Sequence, residues 1–403
     1  MKNLFLYHVL AFAVAALVFF YIKPSISQLQ LKELAVTVPG KASEVHIDHF
    51  YDADLKGQVN LSVNLATGVP VLFGSSELTS SHLQGLAHRY FNEVKKQKLF
   101  AFGHAGFQNF AIMTALAANR PLLKNARIAI VISPTWFEGK YAKGTSLASF
   151  FEFCPESYLY TILADSLVDK QTKNHIAEFI NANYEKMASP SSIHRVFAQK
   201  AGKLGVLNKP FVKANKKMAE LNKQTDFNFT SQQIIIKKLT DLQVKRSNVN
   251  CVNDNWDSLF TASKTNFKSL SSNNSFGIEN TYYSQWMSKG QKKELGIVPL
   301  NANKELKDLE MLLHFLKEND VKPVFIISPL NTLAHTNLPD LAPTVDAIKQ
   351  RLDKGHLNYL DMFTSNLNNY EIGVLEDVMH PYDYGWYIMD KFIAENLYCK
   401  HND

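Results

Sequence analysis

Residues 69–78, with the sequence VPVLFGSSEL, decide the fold of this 403-residue chain. The first five are a short apolar run, which is typical of a buried β-strand. Gly74 follows this run directly, and a glycine permits the chain to turn tightly. A helix is predicted to begin after the turn, so Ser75 and Ser76 should lie where the strand ends. In open α/β sheets, ligands bind at this place, beyond the carboxyl ends of the strands.

Four more short apolar runs predict strands. They lie at residues 98–102, 127–132, 322–327 and 357–360. Helices are predicted at about residues 77–95, 107–119, 304–318 and 341–352, with a last helix after 381–386 that ends near 397. These five units predict an α/β fold with a doubly wound, five-stranded parallel sheet. Gly106 and Ser133 follow the second and third strands, so both should lie at the same edge of the sheet as Ser76.

The chain between the third and fourth strands differs in composition. Residues from about 156 to 250 are rich in Lys and Asn and predict a helical insertion, and residues 251–274 are predicted to be irregular. Within the insertion, residues 203–246 contain ten Lys or Arg but three Asp or Glu. Such a run is usually a solvated helix face, although it can also attract a polyanion or anionic lipid headgroups. No nucleic-acid motif accompanies it, so nucleic acid is not an expected partner.

The N-terminus predicts a membrane anchor. Residues 4–22 carry no formal charge and are just long enough to span a bilayer as a helix. A cleavable signal peptide is the alternative, but the bulky residues before Pro24 do not form a small-residue cleavage site. We therefore expect an anchor at residues 1–25 and one α/β domain at residues 26–403. The domain is expected on the outer side of the cell membrane.

Two residues near the other end of the chain could activate a serine. Asp377 precedes His380 by three positions. A serine hydroxyl is a poor nucleophile until a base takes its proton, and a carboxylate orients a histidine for that task. Each of these residues also has a simpler explanation. A serine before a helix is often an N-cap, and lone Asp and His residues are common. Together with the predicted sheet, the three residues indicate serine-dependent acyl transfer.

The remaining reactive residues carry weaker signals. Cys154, Cys251 and Cys399 allow one disulfide and a free thiol, but no spacing indicates a metal site. No metal and no cofactor are predicted. His82 and His88 fall on the helix predicted at 77–95, where a solvent-facing or capping role is expected.

Several short motifs occur in one order along most of residues 70–390. They are FGSSEL at 73–78, GHAGFQ at 103–108, ISPTWF at 132–137, NSFGI at 274–278, YY at 282–283, ISPLN at 327–331, HP at 380–381 and GW at 385–386. With these motifs the chain resembles the SGNH/GDSL-type hydrolases. It resembles more closely the DltD family, the membrane-anchored proteins of teichoic-acid D-alanylation.

The resemblance implies a role for each motif residue. Aligning Gly74 with the glycine of the Gly-Asp-Ser motif makes Ser76 the nucleophile, with Asp377 and His380 as its partners, and leaves Ser75 where the aspartate would be. The asparagine that many of these hydrolases carry after the third strand has no counterpart. The oxyanion hole would then consist of the backbone N–H groups of Ser76 and Gly106, with Gln108 as a candidate side-chain donor. Ser75 and Trp136 are further expected contacts of the substrate.

The resemblance also implies a reaction and its partners. The expected enzyme is a membrane-anchored acyltransferase that moves D-alanyl groups onto an anionic envelope polymer of the teichoic-acid type, through an acyl-serine intermediate. The expected donor is a carrier protein or a membrane protein of the same pathway. An envelope esterase or thioesterase, and a non-catalytic scaffold for D-alanylation, are the alternatives.

Overall fold

The computed structural model describes residues 49–50, 55–80, 82–200, 236–237, 240 and 249–399. The predicted membrane span at residues 4–22 and most of the basic stretch at 203–246 lie outside these residues. Among the residues described, no helix is both long enough and apolar enough to cross a bilayer.

Strands and helices alternate along most of the described chain. The strands are β1 His49–Phe50, β2 Val71–Phe73, β3 Phe100–Phe102, β4 Ile128–Ile132, β5 Val324–Ile327 and β6 Tyr359–Asp361. The helices are α1 Leu55–Thr67, α2 Ala87–Arg89, α3 Asn109–Ala118, α4 Leu147–Phe153, α5 Glu156–Ala164, α6 Lys170–Asn183, α7 Ser192–Lys200, α8 Trp256–Leu270, α9 Asn280–Tyr282, α10 Lys304–Glu318, α11 Ala342–Lys354 and α12 Asp383–Ile393.

The described residues fall into two compact units. One contains residues 156–200, 236–237 and 240, and the other contains residues 49–155 and 249–399. In the first unit, Asp169 caps α6, because its carboxylate accepts a hydrogen bond from the N–H of Thr172 at 2.9 Å. Its apolar face buries Ile176, Ala177 and Ile180. The division into an anchor at residues 1–25, a domain at 26–403 and an insertion at about 156–250 stays a prediction.

The second unit is built on a parallel sheet. All neighbouring strands pair in parallel in the order β1-β3-β2-β4-β5-β6. The five predicted strands are confirmed, and β1 is an additional two-residue edge strand that pairs with β3. Strands β2 to β5 are buried at every position, which is why they read as continuous apolar runs.

At β2, the direction in which successive strands are added to the sheet reverses. The chain passes from β2 to β3 on one side and then crosses to β4 on the other. Parallel α/β sheets bind ligands at such a switch point, outside the carboxyl ends of the strands. Ser75 and Ser76 follow β2 and Gly74, so the sequence places them at this point.

The helix predicted at residues 77–95 is wrong as a single element. The structure has a 3₁₀ turn at Ser76–Thr79, the short helix α2, and a π-type turn at Tyr90–Val94. Serine and glycine are weak helix formers, and both Ser80 and Gly85 lie between the first two pieces. The N–H of Gly85 donates to Asp383 Oδ1 at 2.7 Å instead of to a helical carbonyl.

The segment predicted to be irregular at residues 251–274 contains the helix α8. Asn255 caps it, because its side chain accepts a hydrogen bond from the N–H of Ser258 at 3.1 Å. Phe267 on α8 is fully buried and lies 4.6 Å from Tyr382, measured between ring centroids. Packing against the core therefore stabilises this helix, although its many Ser, Thr and Asn residues have low helix propensity.

A disulfide joins Cys251 to Cys399 across 148 positions of the chain. Next to it, the rings of Tyr398 and Phe91 stack at 4.8 Å, and the Tyr398 hydroxyl donates to the carbonyl of Lys98 at 2.8 Å. Cys154 is a buried free thiol. Tyr398 and Cys399 are thus tied to the segment before β3 and to the segment before α8.

Candidate active site

The turn after β2 is shaped by its glycine and by a buried carboxyl group. The N–H of Gly74 donates to the carbonyl of Phe102 at 3.3 Å, which continues the pairing of β2 with β3. A Cβ atom at position 74 would lie 2.7 Å from Glu77 Oε1, so a side chain would not fit here. Glu77 Oε1 accepts a hydrogen bond from the N–H of Ser75 at 2.7 Å. These contacts fix the backbone on both sides of Ser76, which begins the 3₁₀ turn.

A second turn holds the acid and the base. Asp377 Oδ1 accepts hydrogen bonds from the backbone N–H groups of Met379 and His380, both at 2.7 Å. Asp377 Oδ2 lies 2.7 Å from His380 Nδ1. The N–H of Glu376 donates to the carbonyl of His380 at 2.9 Å and closes the turn. The spacing of three residues between Asp377 and His380 therefore gives a compact unit in which one carboxylate orients one imidazole.

The two turns meet at Ser76. His380 Nε2 lies 2.9 Å from Ser76 Oγ, and Ser76 is half-buried. An Nδ1–H that donates to Asp377 leaves Nε2 unprotonated and able to accept the serine proton. Ser76, His380 and Asp377, which the sequence predicts as catalytic, are thus brought into the order that activates a serine nucleophile.

The charges at this site oppose the effect of burial. Burial would raise the pKa of the Asp377 carboxyl, but the hydrogen bond and the charge of His380 and two backbone N–H groups hold it below its usual value. Burial would lower the pKa of His380, but Asp377, followed by Glu77 and Glu376, raises it above its usual value. Burial raises the pKa of Glu77 itself. His380 is therefore a stronger base than a solvent-exposed imidazole.

The two backbone N–H groups that the resemblance implies as oxyanion donors both lack an acceptor in the part of the chain that the structure describes. Among the described residues, neither the N–H of Ser76 nor that of Gly106 has a hydrogen-bond acceptor. Gly106 has a φ of +93°, and a Cβ atom there would lie 2.7 Å from Ser149 Oγ. The loop of Gly106 is held to the serine turn, because Ser75 Oγ donates to the carbonyl of His104 at 3.2 Å. Free N–H groups of this kind are what an oxyanion hole requires.

The other predicted contact residues have different surroundings. Gln108 is buried, and its Nε2 donates to the carbonyl of Tyr141 at 3.4 Å. Trp136 is buried in the short 3₁₀ turn Pro134–Phe137 after β4. Within the described chain, neither side chain forms a hydrogen bond with Ser76 or His380. Their roles in substrate binding, like that of Ser75, stay predictions.

Glu376 forms a pair of contacts beside the triad that the sequence does not predict. Glu376 Oε1 accepts a hydrogen bond from Ser80 Oγ at 2.9 Å, and Glu376 Oε2 lies 3.0 Å from His82 Nε2. His82 is exposed, as expected, whereas His88 is buried and therefore not solvent-facing. Glu376 is adjacent to Asp377 in the sequence, which is a signal that could have drawn attention to it. Its partners could not be predicted, because they are 294 and 296 positions away.

The chain was also compared with known proteins. A family model described as DltD protein matches residues 48–397, which is most of the chain. The curated proteins contain no match. The matched range includes Ser76, Gly106, Asp377 and His380.

Proposed function

Because the chain belongs to the DltD family, whose members are involved in D-alanylation of teichoic acids, we propose that it transfers D-alanyl groups onto an anionic envelope polymer through an acyl-Ser76 intermediate. The observation that carries the proposal is the 2.9 Å contact between His380 Nε2 and Ser76 Oγ. It is the contact through which a general base removes the proton of a serine nucleophile.

In the first half of the reaction the enzyme is acylated. Ser76 Oγ attacks the carbonyl carbon of an activated D-alanyl ester or thioester while its proton passes to His380 Nε2. The N–H groups of Ser76 and Gly106 bind the resulting oxyanion. Collapse of the intermediate breaks the bond to the donor, and His380 gives its proton to the leaving oxygen or sulfur. Asp377 stabilises the imidazolium during this step.

In the second half the acyl group leaves the enzyme. A hydroxyl of the polymer gives its proton to His380 and attacks the acyl-serine carbonyl. The bond from the carbonyl to Ser76 Oγ breaks, and His380 returns the proton to Ser76. Water in place of the hydroxyl would give hydrolysis, so access of the acceptor decides between transfer and esterase activity.

The proposal places this reaction outside the cytoplasm, beside the membrane. The disulfide between Cys251 and Cys399 supports it, because disulfides persist in oxidising compartments. The apolar run at residues 4–22 is the proposed single-pass anchor. The proposed partners are a carrier or membrane protein that delivers the acyl group and a polyanionic acceptor. The basic stretch at residues 203–246 suits such an acceptor by charge.

The proposal can be tested with a fluorophosphonate probe on the full-length chain. The probe should label Ser76, and Ser76→Ala and His380→Ala should abolish labelling. Ser269→Ala is a matched control, since this exposed serine donates only within α8, to the carbonyl of Asn266. In cells, Ser76→Ala should remove D-alanyl esters from the envelope polymer. Retained esters in cells that produce folded Ser76→Ala would overturn the proposal, and fast ester hydrolysis without an acceptor would favour the esterase.

A further inference from the structure

Glu376 connects the two turns that carry Ser76 and His380. Its carboxylate accepts a hydrogen bond from Ser80 Oγ at 2.9 Å and lies 3.0 Å from His82 Nε2. Ser80 and His82 belong to the segment that follows the 3₁₀ turn of Ser76. The Glu376 side chain is 12% exposed while that of His82 is 61% exposed, so the carboxylate lies inside and the histidine covers it.

The backbone of Glu376 fixes the other turn. Its N–H donates to the carbonyl of His380 at 2.9 Å, and its carbonyl accepts from the N–H of Glu279 at 2.8 Å. One residue is thus bonded to the His380 turn through its main chain and to the Ser76 segment through its side chain.

We propose that Glu376 is a positioning residue that holds Ser76 within reach of His380. The inference deepens the proposed function and rests on it, since it assigns a role at the same site. A nucleophile displaced by about 1 Å from its base can lose about 100-fold in rate. Two hydrogen bonds to a largely buried carboxylate are well suited to prevent such a displacement.

The charge of Glu376 should also affect the protonation of His380. Glu376 faces His82, Glu279 and Asp377, and its charge acts on His380 together with those of Asp377 and Glu77. Burial raises the pKa of Glu376, and the contacts with Ser80 and His82 oppose this rise. Loss of the negative charge would destabilise the imidazolium of His380. The acid limb of the pH profile for the acylation rate of Ser76 should then move to lower pH.

The experiment compares four variants of the full-length chain by the rate of fluorophosphonate labelling across pH. Glu376→Ala, which loses both contacts and the charge, should label about 10- to 100-fold more slowly. Glu376→Gln, which keeps the oxygen that accepts from Ser80, should recover part of this loss. Both should shift the midpoint to lower pH. Ser80→Ala keeps the charge and should lower the rate modestly without moving the midpoint, and the exposed Glu318→Ala should change neither.

Hydrogen exchange supplies a measurement that does not depend on catalysis. Glu376→Ala should speed exchange in residues 76–84 and 374–382 and leave the strands of the sheet unchanged. If the wild-type chain is not labelled at Ser76, the proposed function fails, but the exchange data still test the link between the two turns. An unchanged labelling rate, midpoint and exchange in folded Glu376→Ala would overturn the inference.

Discussion

His380 Nε2 lies 2.9 Å from Ser76 Oγ, although 304 positions of the chain separate the two residues. The fold explains this proximity. Ser76 follows β2, which lies in the middle of the sheet. The turn of Asp377 and His380 directly precedes α12, and α12 packs into the core that covers the sheet. Each turn is rigid in itself, through Glu77 on one side and Asp377 on the other. The geometry of the site is thus set by two preformed turns and by the contacts between them.

Ser75 and Ser76 should respond differently to substitution. Ser75 Oγ donates to the carbonyl of His104, and Ser75 is buried, so Ser75→Ala should cost about 1 kcal/mol of folding free energy. Its labelling by a fluorophosphonate should stay within a few-fold of that of the wild type. Ser76→Ala should leave stability nearly unchanged and abolish labelling. Denaturant unfolding and labelling kinetics measure the two effects, and the reverse pattern would make Ser75 the nucleophile.

Asp377→Asn should change both the rate and its pH dependence. His380 acts as a base when unprotonated, so the rate falls as the pH drops through its raised pKa. An asparagine removes the charge that contributes most to raising this pKa, and the midpoint should move to lower pH. The maximal rate should fall by up to about 10⁴-fold, because the imidazole tautomer is no longer fixed.

The pH profile of acylation for the wild type and Asp377→Asn measures this change. Asp340→Asn, at an exposed position, is the matched control and should match the wild type. A midpoint that moves to higher pH in Asp377→Asn would contradict the assigned base.

Gly106→Ala should impair acylation more than binding. The φ of +93° disfavours any side chain, and the new Cβ would lie 2.7 Å from Ser149 Oγ. The displaced N–H would no longer bind the oxyanion, which typically lowers kcat by about 10²–10³-fold. Gly139→Ala also places an alanine at a positive φ, of +49°, but has nothing within 4 Å of the new Cβ. Steady-state kinetics should show a loss confined to kcat in Gly106→Ala, and equal losses in both variants would exclude the oxyanion role.

Local patterns in the sequence predict the sheet and the Asp377–His380 pair because both depend on short segments, whereas the choice of Ser76 over Ser75 comes from the resemblance to the SGNH/GDSL-type hydrolases. Buried parallel strands such as β4 are apolar at every position, and the Asp377–His380 unit is held by contacts three residues apart. The helix α8 was missed because Ser, Thr, Asn and Lys hide its pattern. Leu259, Phe260 and Phe267 nevertheless recur at helical spacing, so the signal was present.

Other features depend on partners that are distant in the sequence. The break in the helix predicted at 77–95 accompanies the bond from Gly85 to Asp383, nearly 300 positions away. The contacts of Glu376 with Ser80 and His82 have the same origin. The periodicity of a sequence contains no information about such pairs. The residues that surround the triad could therefore be identified only from the structure.

Removing the disulfide should weaken the fold and leave the site intact. The bridge between Cys251 and Cys399 closes a loop of 148 positions, for which the chain-entropy model gives a stabilisation on the order of 4–5 kcal/mol. Burial raises the pKa of Cys154 to about 12, so this thiol should not exchange with the bridge. Cys251→Ser/Cys399→Ser should unfold at lower denaturant concentration, and the wild type in reductant should match it. Labelling of Ser76 in the folded variant should equal that of the wild type, whereas identical unfolding with and without reductant would show that the bridge does not stabilise the fold.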